Sequence, residues 1–205
     1  LILFSSLLSA LALPFLFYFD QTVFDIGTIN IIALATVGVL NLMVLWLYFL
    51  ALSEEEASIV VVFYQLVPVF GIVLGYYILG EVLTNMNILA MAIIILGTSI
   101  VSFEIDQDNK FKLKRKTIIL MTLASLFWAL ESVIFKFVAL EENVIRSLFW
   151  ENLMLVITGA IIFVVVKSYR TTFITVLKTN SKAVLSLNVA IEYLFILGNI
   201  AFSFH

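Results

Sequence analysis

Three glutamates, Glu131, Glu151 and Glu192, each stand inside a run of otherwise apolar residues. A carboxylate at the centre of a bilayer costs at least ~2.5–3.5 kcal/mol on insertion scales, so such a residue normally faces a wet cavity, a partner or a neutralising proton. Glu192 recurs with Asn188, Phe195, Asn199 and Ser203 at helical spacing, a polar stripe on one face. A stripe of this kind lines either a wet cavity or a hydrogen-bonded seam, and the cost of a carboxylate favours the cavity. Glu131 lies one turn beyond Trp128 with Ser125 and Ser132 nearby, where burial would let it take a proton at neutral pH. Glu151 is about one turn into its run, near Arg146 and Asn152, a position that reads as an interfacial pair with Arg146.

A second group surrounds a mid-run proline. Pro68 has no amide hydrogen and deprives the carbonyl of Tyr64 of its helical partner. Either that carbonyl, with the Gln65 amide beside it, becomes a ligand at mid-membrane, or the kink is satisfied by a neighbouring helix or water. Gly71 and Gly75 form a G-x3-G spacing that reads as close helix packing. Trp46 and Tyr48, with Asn41 one to two turns earlier, could form an aromatic wall against an organic or cationic molecule. Aromatic residues near the end of a run also form interfacial belts.

The elements that must position these residues follow from composition. Of 205 residues 63% are apolar and 12% charged, against roughly 45–50% and 25% in an ordinary soluble domain. A water-soluble globule is excluded. Seven candidate spans, at about 1–19, 29–52, 57–79, 87–103, 118–139, 147–167 and 183–204, are separated by polar breaks. The runs are continuous and lack the alternation of barrel strands, so the expected class is an all-α polytopic membrane protein. There is no cysteine, the one histidine is His205, and no G-x-S-x-G elbow occurs. Catalytic residues, metal and cofactor are therefore expected to be none, and the small net charge of −3 gives no reason to expect nucleic acid.

The loops after the second, fourth and sixth spans hold Lys110, Lys112, Lys114, Arg115, Lys116, Lys167, Arg170, Lys178 and Lys182, while the other side has Arg146 alone. The positive-inside rule puts the basic side in the cytoplasm. Lys136, near the end of its span, would snorkel to the opposite face. Sliding the chain by about 150 residues superposes the first span on the sixth, and an odd-numbered unit repeated in tandem must sit inverted relative to its twin, as in secondary transporters. The ends fall within apolar runs, so the chain is expected to be part of a longer one.

Five features in order carry a resemblance: Ala51-Leu52, Ala57-Ser58, Pro68 mid-span, Leu79-Gly80-Glu81, and a closing helix with Ala90 and Gly97 seven apart. This pattern resembles the EamA domain of the drug/metabolite transporter superfamily. Leu126-Phe127-Trp128-Ala129 followed by Lys136 is similar to the opening helix of a second such domain. The departures are Ala90 for the usual first glycine of the closing helix and Ala129 for the glycine after Trp128.

The resemblance implies ten helices in two inverted five-helix halves. Residues 1–105 would be the first half without its first helix, 106–116 a basic linker, and 117–205 the second half without its last two. It also implies cytoplasmic termini, which would place the linker outside, opposite to the charge count. Small multidrug resistance relatives carry a proton-binding glutamate eight residues before a lysine; here that position is Trp128, with Glu131 almost a turn further on.

The expected function is secondary transport of a small metabolite or drug, an amino acid or amine being favoured, by alternating access with proton coupling. Tyr64, Gln65, Trp128, Asn188, Glu192, Asn41 and Trp46 are the expected substrate-binding residues and Glu131 and Glu192 the proton carriers. Pro68, Gly71 and Gly75 are the structural ones. The expected partners are a small-molecule substrate and the bilayer. The alternative is a non-transporting seven-helix receptor or scaffold.

Overall fold

In hydrocarbon every backbone amide and carbonyl must be satisfied within the protein, and a continuous apolar run does this only as a helix. The computed structural model describes residues 2–101, 103–105, 111–113, 115–179 and 186. Its helices are α1 (Ile2–Phe19), α2 (Thr28–Leu52), α3 (Ala57–Val62), α4 (Leu66–Leu74), α5 (Asn85–Val101), α6 (Arg115–Glu141) and α7 (Val144–Val165). An eighth helix, α8, covers 167–179. The strands β1 (Phe103–Ile105) and β2 (Phe111–Leu113) form a short antiparallel ladder with Glu104 opposite Lys112.

Among the described residues, four helices are long and apolar enough to cross a membrane: Thr28–Leu52, Ile59–Leu79, Arg115–Glu141 and Val144–Val165. Leu3–Phe19 and Asn85–Ile100 are shorter apolar helices. The chain is therefore an all-α multi-pass membrane protein, and its first six expected spans are helical over most of their described residues. The expected seventh span, 183–204, with Asn188 and Glu192, lies outside the described residues. One expectation is corrected: 167–182, read as a loop, is helical over 167–179. Phe173 in that stretch packs against Phe4 and Phe163, and the hydroxyls of Thr171, Thr175 and Thr179 donate to carbonyls three or four residues back.

Contacts divide the chain into two units, Leu1–Gly38 with Phe135–His205, and Val39–Ile134. The core of the first unit joins Leu16, Val23, Leu34, Phe135, Val138, Leu148 and Phe149. Here α1 runs against α7 at close range. The Ser6 hydroxyl donates to the Leu155 carbonyl at 2.9 Å, and a Cβ at Gly159 would overlap the Ser6 side chain. Lipid tails are as apolar as leucine, so helices in a membrane associate through such close contacts more than through hydrophobic burial. The expected G-x3-G pair is not among the close contacts described. Nothing described lies within 4 Å of a Cβ at Gly71, and at Gly75 the space belongs to the side chain of Glu81, from the same segment.

A polar cap closes one end of the first unit. Arg146, at the start of α7, donates to Asp20 Oδ2 at 3.4 Å, the Asp25 carbonyl at 2.7 Å, Thr22 Oγ1 at 2.8 Å and Glu142 Oε2 at 3.4 Å. Glu142 Oε1 accepts from the Gly27 amide at 3.0 Å and from Asn30 Nδ2 at 2.8 Å. The Trp150 indole donates to the Val23 carbonyl at 2.7 Å. These bonds tie the α1–α2 connection to the α6–α7 turn. Thr22 bonds, through hydroxyl and amide, and then the Arg146 charge hold the Asp20 carboxyl below its usual range. The Gly27 amide, then Asn30, then Arg146 do the same for Glu142.

The core of the second unit joins Leu47, Ala51, Val60, Phe63, Met121 and Ala124, with Lys116 paired to Glu54 at its edge. After α4 the chain makes a π-helical turn over Gly75–Leu79, ended by Gly80 at φ 70°, where the Glu81 amide returns to the Gly75 carbonyl at 3.2 Å. The Leu-Gly-Glu motif thus has a mechanical reason, since only glycine takes the left-handed conformation without penalty.

Two outcomes are expected. Gly159→Val should destabilise the protein by about 1–3 kcal/mol through overpacking, and Gly80→Ala by about 1 kcal/mol, while Gly71→Ala should not lower the melting temperature in detergent. The cap should also give an acid limb to stability. Because both folded-state carboxyl values are depressed, their contribution is full above the ordinary carboxylate range and is lost as pH falls through the folded values. Melting temperature should stay level from neutral pH to about 5 and drop below about 4, with a shallower drop in Arg146→Gln.

Candidate functional site

The second unit brings several of the expected residues together. On α2, Asn41, Val44, Tyr48 and Ala51 recur every three or four residues, and on α6 so do Met121, Ser125, Trp128 and Glu131; each set defines one helical face. Met121, Ser125 and Ala51 are fully buried, as is the Glu131 side chain at 4% exposure. The Asn41 side-chain amide donates to Glu131 Oε1 at 3.1 Å. Glu131 Oε2 is buried and, among the described residues, has no hydrogen-bond partner.

An aromatic group lies in the same unit. The ring of Tyr64 meets Trp128 edge-on at 4.8 Å and lies 5.3 Å from Tyr48. Edge-to-face pairs of this kind are favoured by the ring quadrupoles, and the open faces of such rings attract cations. Tyr48 occupies the place expected of Trp46. At 100° per residue, position 46 falls on the opposite side of α2 from Asn41 and Tyr48, and Trp46 is 61% exposed there.

Around Pro68 the helix solves its hydrogen-bond problem by tightening. A 3₁₀ turn, Phe63–Gln65, separates α3 from α4, and the Leu66 amide reaches back to the carbonyls of Phe63 and Tyr64. The Ser125 hydroxyl of α6 donates to the Phe63 carbonyl at 3.0 Å. The Tyr64 carbonyl that Pro68 leaves is thus met by the Leu66 amide of its own segment, and the neighbouring helix bonds the adjacent Phe63 carbonyl. Tyr64 therefore enters the site by its ring. Gln65 and Pro68 lie on the exposed side of the segment.

The pairing of Asn41 with Glu131 was not foreseen, although a signal existed: each is a lone strongly polar residue near the middle of an apolar run. The Arg146 cap was also missed, because proximity in sequence suggested Glu151, whereas the partners of Arg146 come mostly from the α1–α2 connection. Chemically, the site offers an amide-oriented carboxylate with one oxygen left for a donor, one to two turns from three aromatic rings.

Residues 1–103 match the model of the EamA-like transporter family. No curated protein and no solved structure matches the chain. The match takes in half of the 205 residues, including the Leu-Gly-Glu turn and the proline kink whose geometry is described above. The chain belongs to the EamA-like transporter family, within the drug/metabolite transporter superfamily.

Proposed function

We propose that this transporter moves a small metabolite or drug, an amine or amino acid by preference, by proton-coupled alternating access. The observation that carries the reading is the buried Glu131, held by one amide donor and, among the described residues, lacking a donor at its second oxygen. An ionised carboxylate in hydrocarbon is costly, and one hydrogen bond from a neutral amide offsets only part of that cost. A proton or a substrate ammonium at Oε2 removes the rest. The two would compete for one oxygen, which is a simple basis for exchanging one against the other.

The rings of Tyr48, Tyr64 and Trp128 support a cationic or aromatic substrate, since a desolvated cation on a ring face gains about 2 kcal/mol. Asn41 serves as the orienting residue for the carboxylate. Glu192 and Asn188 belong to the proposal on sequence grounds, as a second polar stripe. Residues 117–205 are taken as a second repeat, inverted relative to the first.

The test is transport in proteoliposomes with an imposed pH gradient and a panel of radiolabelled amines and amino acids. Glu131→Gln should reduce gradient-driven transport by at least tenfold and weaken substrate counterflow at equal pH, because a neutral amide can neither carry the proton nor pair with an ammonium. Glu131→Asp should keep part of the activity, and Trp128→Ala should raise the half-saturating substrate concentration. Full gradient-driven transport in Glu131→Gln would refute the coupling role. If the wild-type protein moved no member of the panel, the amine and amino-acid assignment would fall.

A further inference from the structure

A basic helix beyond the last described span has no role in the site above. The 22 residues of α7 rise about 33 Å, enough to cross the hydrocarbon. The chain leaves helical geometry at Val166, with φ −102° and ψ 92°, and resumes as α8. That break therefore falls at the level of the lipid headgroups. Phe173 pins α8 to the unit that contains it, with its ring 4.7 Å from buried Phe4 of α1 and 6.1 Å from Phe163 of α7.

With Phe173 packed on its own unit, the helical period sets Lys167, Arg170 and Lys178 within about a quarter of the circumference, half-buried Arg170 nearest to Phe173. Lys167 and Lys178 are exposed, and Ile174, 39% exposed, lies between them. No acidic residue occurs between 167 and 179. Beside this face the hydroxyls of Thr171, Thr175 and Thr179 are committed to the helix's own carbonyls at 2.9 Å each, which leaves the three cations as its chief polar groups. Lys167 and Lys178 stand about 16 Å apart along the axis, too far to share one small anion and well suited to a row of them.

We propose that α8 is a docking surface for anionic phospholipid headgroups, bound through Lys167, Arg170 and Lys178. A negatively charged leaflet supplies a continuous row of phosphates at the depth where the helix lies, and Ile174 meets the acyl boundary between them. Each cation near such a surface favours anionic over zwitterionic lipid by about fivefold.

The full chain, reconstituted in nanodiscs of phosphatidylglycerol and phosphatidylcholine and released into mild detergent, can be weighed by native mass spectrometry to count the retained lipids. The wild type should retain phosphatidylglycerol selectively, and less so at high salt. Combining Lys167→Gln, Arg170→Gln and Lys178→Gln should lower that selectivity at least tenfold, while Lys116→Gln, which removes a cation paired with Glu54, should leave it in place. If the triple variant does not fold, the three single variants decide the matter by the same ratio. An unchanged ratio in these variants would overturn the proposal. So would displacement of phosphatidylglycerol by millimolar inorganic phosphate at constant ionic strength, which would identify a soluble-anion site.

Discussion

Hydrocarbon offers no hydrogen-bond partner, and most of the irregular features of this chain are answers to that constraint. Several interruptions of the helical ladder come with their own replacement bonds. At Pro68 the Leu66 amide, in a 3₁₀ turn, takes up the Tyr64 carbonyl, and a serine from α6 bonds the carbonyl of Phe63 beside it. At the end of α4 a π turn and a left-handed glycine return the Glu81 amide to the chain. At the ends of α1, α2, α6 and α7 in the first unit, Arg146 and Glu142 collect donors and acceptors that would otherwise face the interface. Specificity of packing then rests on polar and small residues, because apolar side chains find lipid as good a neighbour as one another.

Against that background the Asn41–Glu131 pair is an exception. Here, among the described residues, a buried carboxylate receives a single amide. Incomplete satisfaction at a buried acidic residue is what a site needs if something else is to bind and leave. The surrounding rings supply a nonpolar, cation-tolerant wall without adding a competing fixed charge.

The spans were legible because each carries a long apolar run bounded by turn or charged residues, and the family resemblance rested on motifs whose geometric reasons are local. Gly80 could be read as a turn residue from its neighbours alone. The helix at 167–179 was not legible as such, because its threonines and cations suggest a loop until Phe173 is seen against Phe4. Glu131 was visible as an outlier in an apolar run. Its partner depended on which face of α2 meets α6, and that is set by contacts between segments 90 residues apart. Trp46 and Tyr48 are two positions apart in sequence and look equivalent there; the helical period places only Tyr48 on the face that carries Asn41. The close approach at Gly159 escaped notice because its partner, Ser6, lies 153 positions away in the chain and no glycine pattern flags it.

The hydroxyl of Ser125 has a consequence beyond the kink it satisfies. By grasping a carbonyl of the neighbouring helix, it fixes the azimuth of α6, much as a key in a slot fixes a shaft. Trp128 and Glu131 follow at one and two turns, within a third of the circumference. A slip of one residue would swing both by about 100° and carry the carboxylate away from Asn41. The side chain that indexes this rotation is small, uncharged and one of many serines, so the address of the buried acid is written in a residue that does none of the chemistry.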